Sequence, residues 1–157
     1  MSDDSEKTIL VSACLLGLNT RYDGKTKRSQ AVIDYLERHG LTPIPVCPEQ
    51  LAGMPTPRPK TSFAKGDGAA VLAGSGSVIS ASGQLMNQVF IQGAEQSLQV
   101  AQLSGCNRAL FKERSPSCGV KEIYLGDEKV PGCGVATALL QQAGLNVISE
   151  EDASVSP

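Results

Sequence analysis

The sequence has no tryptophan, and only 4% of its 157 residues are aromatic. A surface for single-stranded nucleic acid needs aromatic side chains on which bases stack, together with a basic groove that follows the phosphates. Both are poorly supported here: aromatic residues are few, the net charge is −2, and the one basic stretch is KTKR at residues 25–28. The composition therefore argues against a nucleic-acid partner.

Long hydrophobic runs are also missing. No apolar segment approaches the roughly 20 residues that cross a bilayer. The first residues, MSDDSEK, are polar and acidic and do not have the pattern of a secretory signal peptide. We therefore expect a soluble cytoplasmic protein with no membrane partner, and the sequence does not distinguish a monomer from a dimer. In a reducing compartment, five cysteines favour metal binding or catalysis over a disulfide framework.

Histidine is scarce as well, with a single one in the chain. His39 ends a predicted helix just before Gly40, where the helix dipole and the last carbonyl groups account for its position. This placement does not favour a cysteine–histidine catalytic pair. The sequence also contains no GxxxxGKS or GxxxxGKT segment, so no phosphate loop is predicted.

Short apolar runs alternate with longer segments of helical periodicity, which predicts an α/β fold. The predicted strands cover residues 8–13, 42–47, 108–113 and 145–149. The predicted helices cover residues 28–39, 84–104 and 132–143. We expect a single-domain layered fold with a mainly parallel, Rossmann-like sheet flanked by helices.

The rest of the chain is less regular. Residues 48–68 hold four prolines and three glycines, so a long loop of the kind that often carries function is predicted there. Additional short strands are predicted at 69–72, 77–80 and 122–125. The domain is expected to span residues 8–150, between flexible tails at 1–7 and 151–157.

Three cysteines follow predicted strands: Cys14 in SACLLG, Cys47 in PVCPE and Cys118 in SPSCG. Ligands of open parallel sheets bind outside the carboxyl ends of the strands, so the three thiols could meet if these strands are neighbours. Three thiolates would suit an iron–sulfur cluster with one open iron, or a zinc ion with water as its fourth ligand. The alternative is that the cysteines are small buried apolar side chains.

Polar residues in the same loops are candidates for chemistry. Glu49 lies two residues after Cys47 and could act as a general acid or base, or it could be a solvated loop charge. Ser115 and Ser117 flank a proline and could bond a substrate or cap a turn.

Charged residues of the glycine- and proline-rich loops form a second set of candidates. Arg21, Asp23 and Arg58 could hold a planar polar substrate, or they could form surface ion pairs with one another. The sequence alone leaves both interpretations open.

The chain resembles the thiouracil desulfidase family from Ile9 to Glu150. The segments that carry the resemblance are VSACLLG, RYDG, PVCPE, PTPRPK, KGDGAAVL, KERSPSCG, GCGVATALL and ISE. The combination of SACLLG, VCPE and SPSCG in this order is specific to the family. Many relatives carry a further cysteine just before RYDG, where this chain has Asn19 and Thr20.

The resemblance implies a 4Fe-4S cluster bound by Cys14, Cys47 and Cys118, with one iron not ligated by the protein. It implies that this iron takes the sulfur of a thiolated uracil, and that uracil and hydrogen sulfide form without net redox change. Glu49 matches the catalytic carboxylate of the family, and Ser115, followed by Ser117, is the second catalytic candidate. Two other functions stay open from the sequence: a carrier of sulfur or iron–sulfur units, and a zinc-binding structural module.

Overall fold

The computed structural model describes residues 7–155, with side chains as far as Ala153. In chain order, its elements are β1 (Thr8–Ser12), a 3-10 helix (Ala13–Leu16), α1 (Gln30–Arg38), β2 (Thr42–Val46), α2 (Pro48–Leu51), β3 (Thr61–Lys65), α3 (Gly68–Ala73), β4 (Ser77–Ser80), α4 (Asn87–Ser104), β5 (Arg108–Phe111), β6 (Glu122–Leu125), β7 (Glu128–Pro131), α5 (Val135–Gln142), β8 (Asn146–Ser149) and α6 (Glu150–Val155).

Four strands form a fully parallel sheet in the order β2-β1-β5-β8. These are the four main strands that the sequence predicts, and the three main helices also form where they are expected. The α/β fold with a mainly parallel sheet flanked by helices is therefore confirmed.

Both faces of this parallel sheet are buried, as expected when helices connect parallel strands. Along β1, Ile9 and Val11 contribute to an apolar cluster that includes residues of α1 and α6. Leu10, between them, points to the other face and joins the larger cluster, which includes residues of α4 and α5. The alternation of side chains along one strand thus supplies both layers of the core.

A second sheet, which the sequence analysis does not predict, has the order β4-β3-β6-β7. Its strand β3 lies inside residues 48–68, so the prediction that this whole segment is a loop is wrong. Strands β3 and β6 are parallel, and Phe63 and Leu125 are the residue pair that defines their register. The pairs β3–β4 and β6–β7 are antiparallel. Phe63 is fully buried in the larger apolar cluster, so this sheet closes the core on that side.

Residues 69–72, predicted as a strand, belong to helix α3. The side chain of Asp67 caps the helix by accepting a hydrogen bond from the Ala70 backbone N–H, and Gly74 ends it in the left-handed conformation. A short apolar run is compatible with either a helix or a buried strand. In this segment the Asp67 cap favours the helix.

The carboxyl-terminal segment also differs from expectation. A flexible tail is predicted from residue 151, but α6 continues to Val155 and buries Ala153. Residues 156–157, and residues 1–6 of the predicted amino-terminal tail, lie outside the described part of the chain. Among the described residues, none of the helices combines the length and apolar character that crossing a membrane requires.

Candidate functional site

Three thiols meet at the carboxyl edge of the parallel sheet. Cys14 lies in the 3-10 helix directly after β1, Cys47 is the N-cap of α2 directly after β2, and Cys118 lies in the loop after β5. The three strands are neighbours in the order β2-β1-β5. All three cysteines line one cavity of about 390 Å³. The structure thus brings together the three loops that the sequence analysis expects to converge.

The loop that carries Cys118 is held by the first turn of α5. The backbone N–H groups of Val135 and Ala136 donate to the carbonyls of Pro116 (2.8 Å) and Ser117 (3.0 Å), and the Thr137 hydroxyl donates to the Cys118 carbonyl (3.0 Å). The helix thereby uses donors that would otherwise lack an intrahelical partner to fix the loop.

Glycine at position 134 allows this close contact. A Cβ atom there would lie 2.3 Å from the carbonyl carbon of Ser117 and 2.7 Å from the Cys118 nitrogen. These distances are too short for a Cβ atom. The backbone at position 134 can therefore approach the loop this closely only because glycine has no side chain.

A buried carboxylate holds the other side of the same loop. Glu113 is 2% exposed, and its Oε1 accepts hydrogen bonds from the backbone N–H groups of Val120 (2.7 Å), Lys121 (2.8 Å) and Glu122 (3.1 Å). Burial raises the pKa of Glu113, but hydrogen bonding to the carboxylate outweighs it and lowers the pKa overall. The carboxylate therefore acts as an ionised anchor of the loop.

The thiols interact electrostatically with one another. Burial raises the pKa of Cys118 well above 9.0, and Glu49, Cys47 and Cys14 raise it further. Burial also raises the pKa of Cys14 to about 11, a rise that Lys112 opposes and Cys47 reinforces. Burial and the neighbouring charges thus disfavour the thiolate forms of these cysteines, and a bound cationic group would favour them.

Glu49 faces Cys47 across a short gap. The thiol of Cys47 donates toward Glu49 Oε2 at 3.7 Å, and burial followed by the Glu49 charge raises the pKa of Cys47. Arg58 Nη2 lies 3.9 Å from the same carboxylate oxygen and 3.9 Å from the Cys47 sulfur, and it donates to the carbonyl of Thr20 at 2.8 Å. Arg58 thus joins the Thr20 loop, the thiol and the carboxylate.

The two candidate serines occupy different positions. Ser115 lines the cavity, and its Oγ accepts hydrogen bonds from the backbone N–H groups of Ser117 and Cys118, both at 3.1 Å. Ser117 is 2% exposed and is not among the residues that line the cavity. The geometry therefore favours Ser115 as the serine that a ligand can reach.

The predicted substrate-binding residues are also divided. Arg21 and Arg58 line the cavity, whereas Asp23 does not; it lies 3.6 Å from Arg21 and accepts from the backbone N–H of Lys25. The Arg58 side chain is only 5% exposed, and its guanidinium is occupied by protein partners. Of the three, Arg21 is therefore the one with an accessible cation at the cavity.

Several residues of the lining are not anticipated by the sequence analysis. Lys112 precedes the Cys118 loop and forms a 2.8 Å ion pair with Glu150. The other unanticipated polar or aromatic residues of the lining are Ser12, Thr20, Tyr22, Lys27, Lys60, Thr61, Glu113, Arg114 and Tyr124. Lys112 and Glu150 both lie in segments that carry the family resemblance, so the sequence could have indicated a role for them. Tyr124 lies in the second sheet and in none of those segments, so the sequence does not indicate its place in the cavity.

The remaining two cysteines are not part of the cavity lining. Cys106 is 7% exposed and belongs to the apolar core. Cys133 lies 3.7 Å from Asp67 Oδ2, and burial together with this carboxylate raises its pKa to about 11. Cys106 thus packs in the core, and Cys133 contacts Asp67.

The donor set can be compared with the chemistry of an iron–sulfur cluster. Cys14, Cys47 and Cys118 come from three separate loops and line one cavity of about 390 Å³. An iron–sulfur cluster takes its thiolate ligands on separate irons. The three thiols are therefore of the right kind to hold such a cluster.

Comparisons with known proteins agree with this chemistry. A model of the 2-thiouracil desulfurase family matches residues 9–152. The uncharacterized protein YbbK of Bacillus subtilis (strain 168) is 37% identical over 147 residues, which are 92% of this chain and 96% of that protein. The solved structure of TudS, a 4Fe-4S-dependent thiouracil desulfidase, has a TM-score of 0.78 and 37% identity, and the match covers 93% of this chain and 92% of TudS. The resemblance inferred from the motifs is confirmed: the chain belongs to the 2-thiouracil desulfurase family.

Proposed function

We propose that this protein is a 4Fe-4S-dependent thiouracil desulfidase of the cytoplasm. Cys14, Cys47 and Cys118 would hold the cluster, and one of its irons would have no protein ligand. The observation that carries the proposal is the convergence of these three thiols on one cavity, from three neighbouring strands. The family and the similarity to TudS support the same activity.

The proposed reaction is a hydrolysis without net electron transfer. Water and the thiocarbonyl group of the base give a carbonyl group and hydrogen sulfide, so the C=S bond is replaced by C=O and both water protons end on sulfur. When bound, the cluster would supply a Lewis-acidic iron that polarises the thiocarbonyl. The protein residues then have to place the base, activate water and move the protons.

Glu49 is the proposed general base. Its carboxylate lies beside Cys47 in the cavity wall and is 13% exposed, so it can reach a water molecule next to a bound substrate. Arg58 orients it through the contact at 3.9 Å. Ser115, which has a hydroxyl hydrogen left to donate after accepting two backbone hydrogen bonds, would bond the substrate or the water.

The rest of the cavity suits a planar base. Tyr22 and Tyr124 line it, and each has a cation near its ring: Arg21 at 5.6 Å from the Tyr22 centroid and Lys60 at 5.6 Å from that of Tyr124. All three phenylalanines are buried, so these two tyrosines supply the aromatic surface on which a pyrimidine could stack.

The first test is cluster binding. Protein reconstituted without oxygen should bind about four irons per chain and turn brown. Alanine at Cys14, Cys47 or Cys118 should reduce iron and sulfide content, and Cys133→Ala is the matched control because Cys133 lies outside the cavity lining. A colourless wild-type protein, or equal iron in all four variants, would refute the ligand set.

The second test is turnover. Reconstituted protein supplied with 2-thiouracil should release uracil and sulfide in equal amounts over many cycles. Glu49→Gln should keep the cluster but lose activity by about a hundredfold or more, as expected for a general base. Release of only one sulfide per cluster would contradict an enzyme and would instead support a carrier of sulfur or iron–sulfur units.

A further inference from the structure

Lys112 has no role in the reaction as described so far, although it lines the cavity. Its ammonium donates to the Glu150 carboxylate at 2.8 Å and to the Glu113 carbonyl at 3.0 Å. The same Glu150 accepts the Glu113 backbone N–H at 3.0 Å, and the Lys112 backbone N–H donates to Ser12 Oγ at 2.9 Å. Lys112 is therefore held at its backbone by Ser12 and at its ammonium group by Glu150 and Glu113.

This arrangement leaves one donor available. An ammonium group has three N–H bonds, and two of them are used by Glu150 and Glu113. Among the described residues, Glu150 and Glu113 are the partners observed for this ammonium, while the side chain is 21% exposed and lines the cavity. A ligand in the cavity is thus the natural acceptor.

The charge of the cavity also calls for a cation at this point. Three thiolates and the Glu49 carboxylate would surround a bound cluster. Arg58 lies beside Cys47 and Glu49, on one side of the cavity. Lys112 lines the same cavity as Cys14 and Cys118, and its backbone N–H is bonded to Ser12, two residues before Cys14. Its charge therefore lies on the side of the cavity that these two thiols form.

We propose that Lys112 is a charge-compensating residue of the cluster site, held in place by Glu150, and that its free N–H group stabilises negative charge on the departing sulfur. The inference rests on the proposed function, because it assigns Lys112 a role toward the cluster and its substrate. It also gives a reason why Lys112 and Glu150, far apart in sequence, both lie in the segments that carry the family resemblance.

The reduction potential of the substrate-free cluster tests the electrostatic part. Although the reaction transfers no electrons, the potential reports the field at the cluster. Lys112→Gln removes a positive charge and should shift the potential in the negative direction. Glu150→Gln removes a negative charge and should shift it in the positive direction. A purely structural role would not give opposite signs.

A second ion pair provides matched controls. Lys121 and Asp152 also join the segment after β5 to α6, but their side chains are 59% and 47% exposed and neither lines the cavity. Lys121→Gln and Asp152→Asn should leave the potential unchanged, since solvent screens exposed charges. Lys112→Arg keeps the charge and should stay close to the wild type.

Turnover tests the catalytic part. Lys112→Gln should lower kcat about tenfold while KM changes less than about threefold, because the hydrogen bond strengthens as charge develops on sulfur. Equal potentials in wild type, Lys112→Gln and Glu150→Gln would overturn the proposal while leaving the desulfidase function intact. If Lys112→Gln does not bind the cluster, the direction in which Glu150→Gln shifts the reduction potential still tests the proposal. A wild-type protein without a cluster would refute the proposed function and this inference together.

Discussion

Arg58 and Glu49 form a nearly buried ion pair, with Nη2 and Oε2 3.9 Å apart and side chains only 5% and 13% exposed. The distance is long for a hydrogen bond, and the Arg58 guanidinium is held by the Thr20 carbonyl at 2.8 Å and the Thr56 hydroxyl at 2.8 Å. Arg58 is therefore fixed first, and Glu49 is oriented against it. The pair links the carboxylate proposed as general base to the loop that covers Cys47.

Arg58→Lys should keep the charge but lose the forked geometry that reaches Thr20, Thr56 and Glu49 at once. We expect kcat to fall by about tenfold and the free energy of unfolding by about 2 kcal/mol, the scale of hydrogen bonds to a charged group. Steady-state kinetics and urea unfolding measure the two effects. Arg28→Lys, at an exposed arginine outside the cavity, is the control. Wild-type values for Arg58→Lys would show that Arg58 does not position Glu49.

The buried carboxylate of Glu113 predicts a dependence of stability on pH. Its pKa is lowered below the ordinary 4.5 in the folded protein, so the ionised group contributes stability above that pH. This contribution is lost as the pH falls through the lowered pKa. Glu113→Gln should reduce the free energy of unfolding by about 2 kcal/mol at pH 7, and the difference from wild type should shrink below pH 4.5.

Urea unfolding at pH 7 and at acid pH measures this effect. The control is Glu95→Gln, since Glu95 is an exposed residue in the middle of α4, away from the Cys118 loop. A difference between wild type and Glu113→Gln that stays constant with pH would mean that the ionised carboxylate is not the form that anchors the Cys118 loop.

The position of the thiols can be predicted from the sequence because it depends on local features. Each of Cys14, Cys47 and Cys118 follows a strand whose apolar composition is recognisable, and parallel strands present their carboxyl ends at one edge. The prediction also requires that these strands be neighbours. The order β2-β1-β5 is known only from the structure.

Other parts of the site could not be predicted, because they depend on contacts between distant segments. The pairing of β3 with β6 rests on Phe63 and Leu125, 62 positions apart, and no local pattern indicates it. Tyr124 reaches the cavity only through that pairing. The ion pair of Lys112 with Glu150 likewise joins the ends of β5 and β8, which become neighbours only in the folded sheet.

The contact of Gly134 with the Cys118 loop gives a steric prediction. The backbone at Gly134 has φ −74° and ψ 167°, which alanine can also adopt, so the close contacts with Ser117 and Cys118 are what oppose a side chain. Gly134→Ala should displace the loop, reduce the iron content after reconstitution and lower the melting temperature.

Gly144→Ala separates loop displacement from general destabilisation. Gly144 has φ +94°, and a Cβ added there would meet no described atom within 4 Å, so alanine brings backbone strain of about 1 kcal/mol without a clash. This variant should lose some thermal stability and keep its iron. If Gly134→Ala binds iron as the wild type does, the first turn of α5 does not determine the position of Cys118.

Tyr124 tests whether the second sheet takes part in substrate binding. It shares the cavity lining with one other aromatic residue, Tyr22, and a stacked base is worth about 1–3 kcal/mol. Tyr124→Ala should therefore raise KM for 2-thiouracil about tenfold with little change in kcat, whereas Tyr124→Phe, which keeps the ring, should stay within about twofold of wild type. Tyr35→Phe, on α1 and packed on His39 at 4.4 Å, is the control. If alanine and phenylalanine at position 124 give the same KM as tyrosine, the base does not stack there, and β6 serves only to close the core.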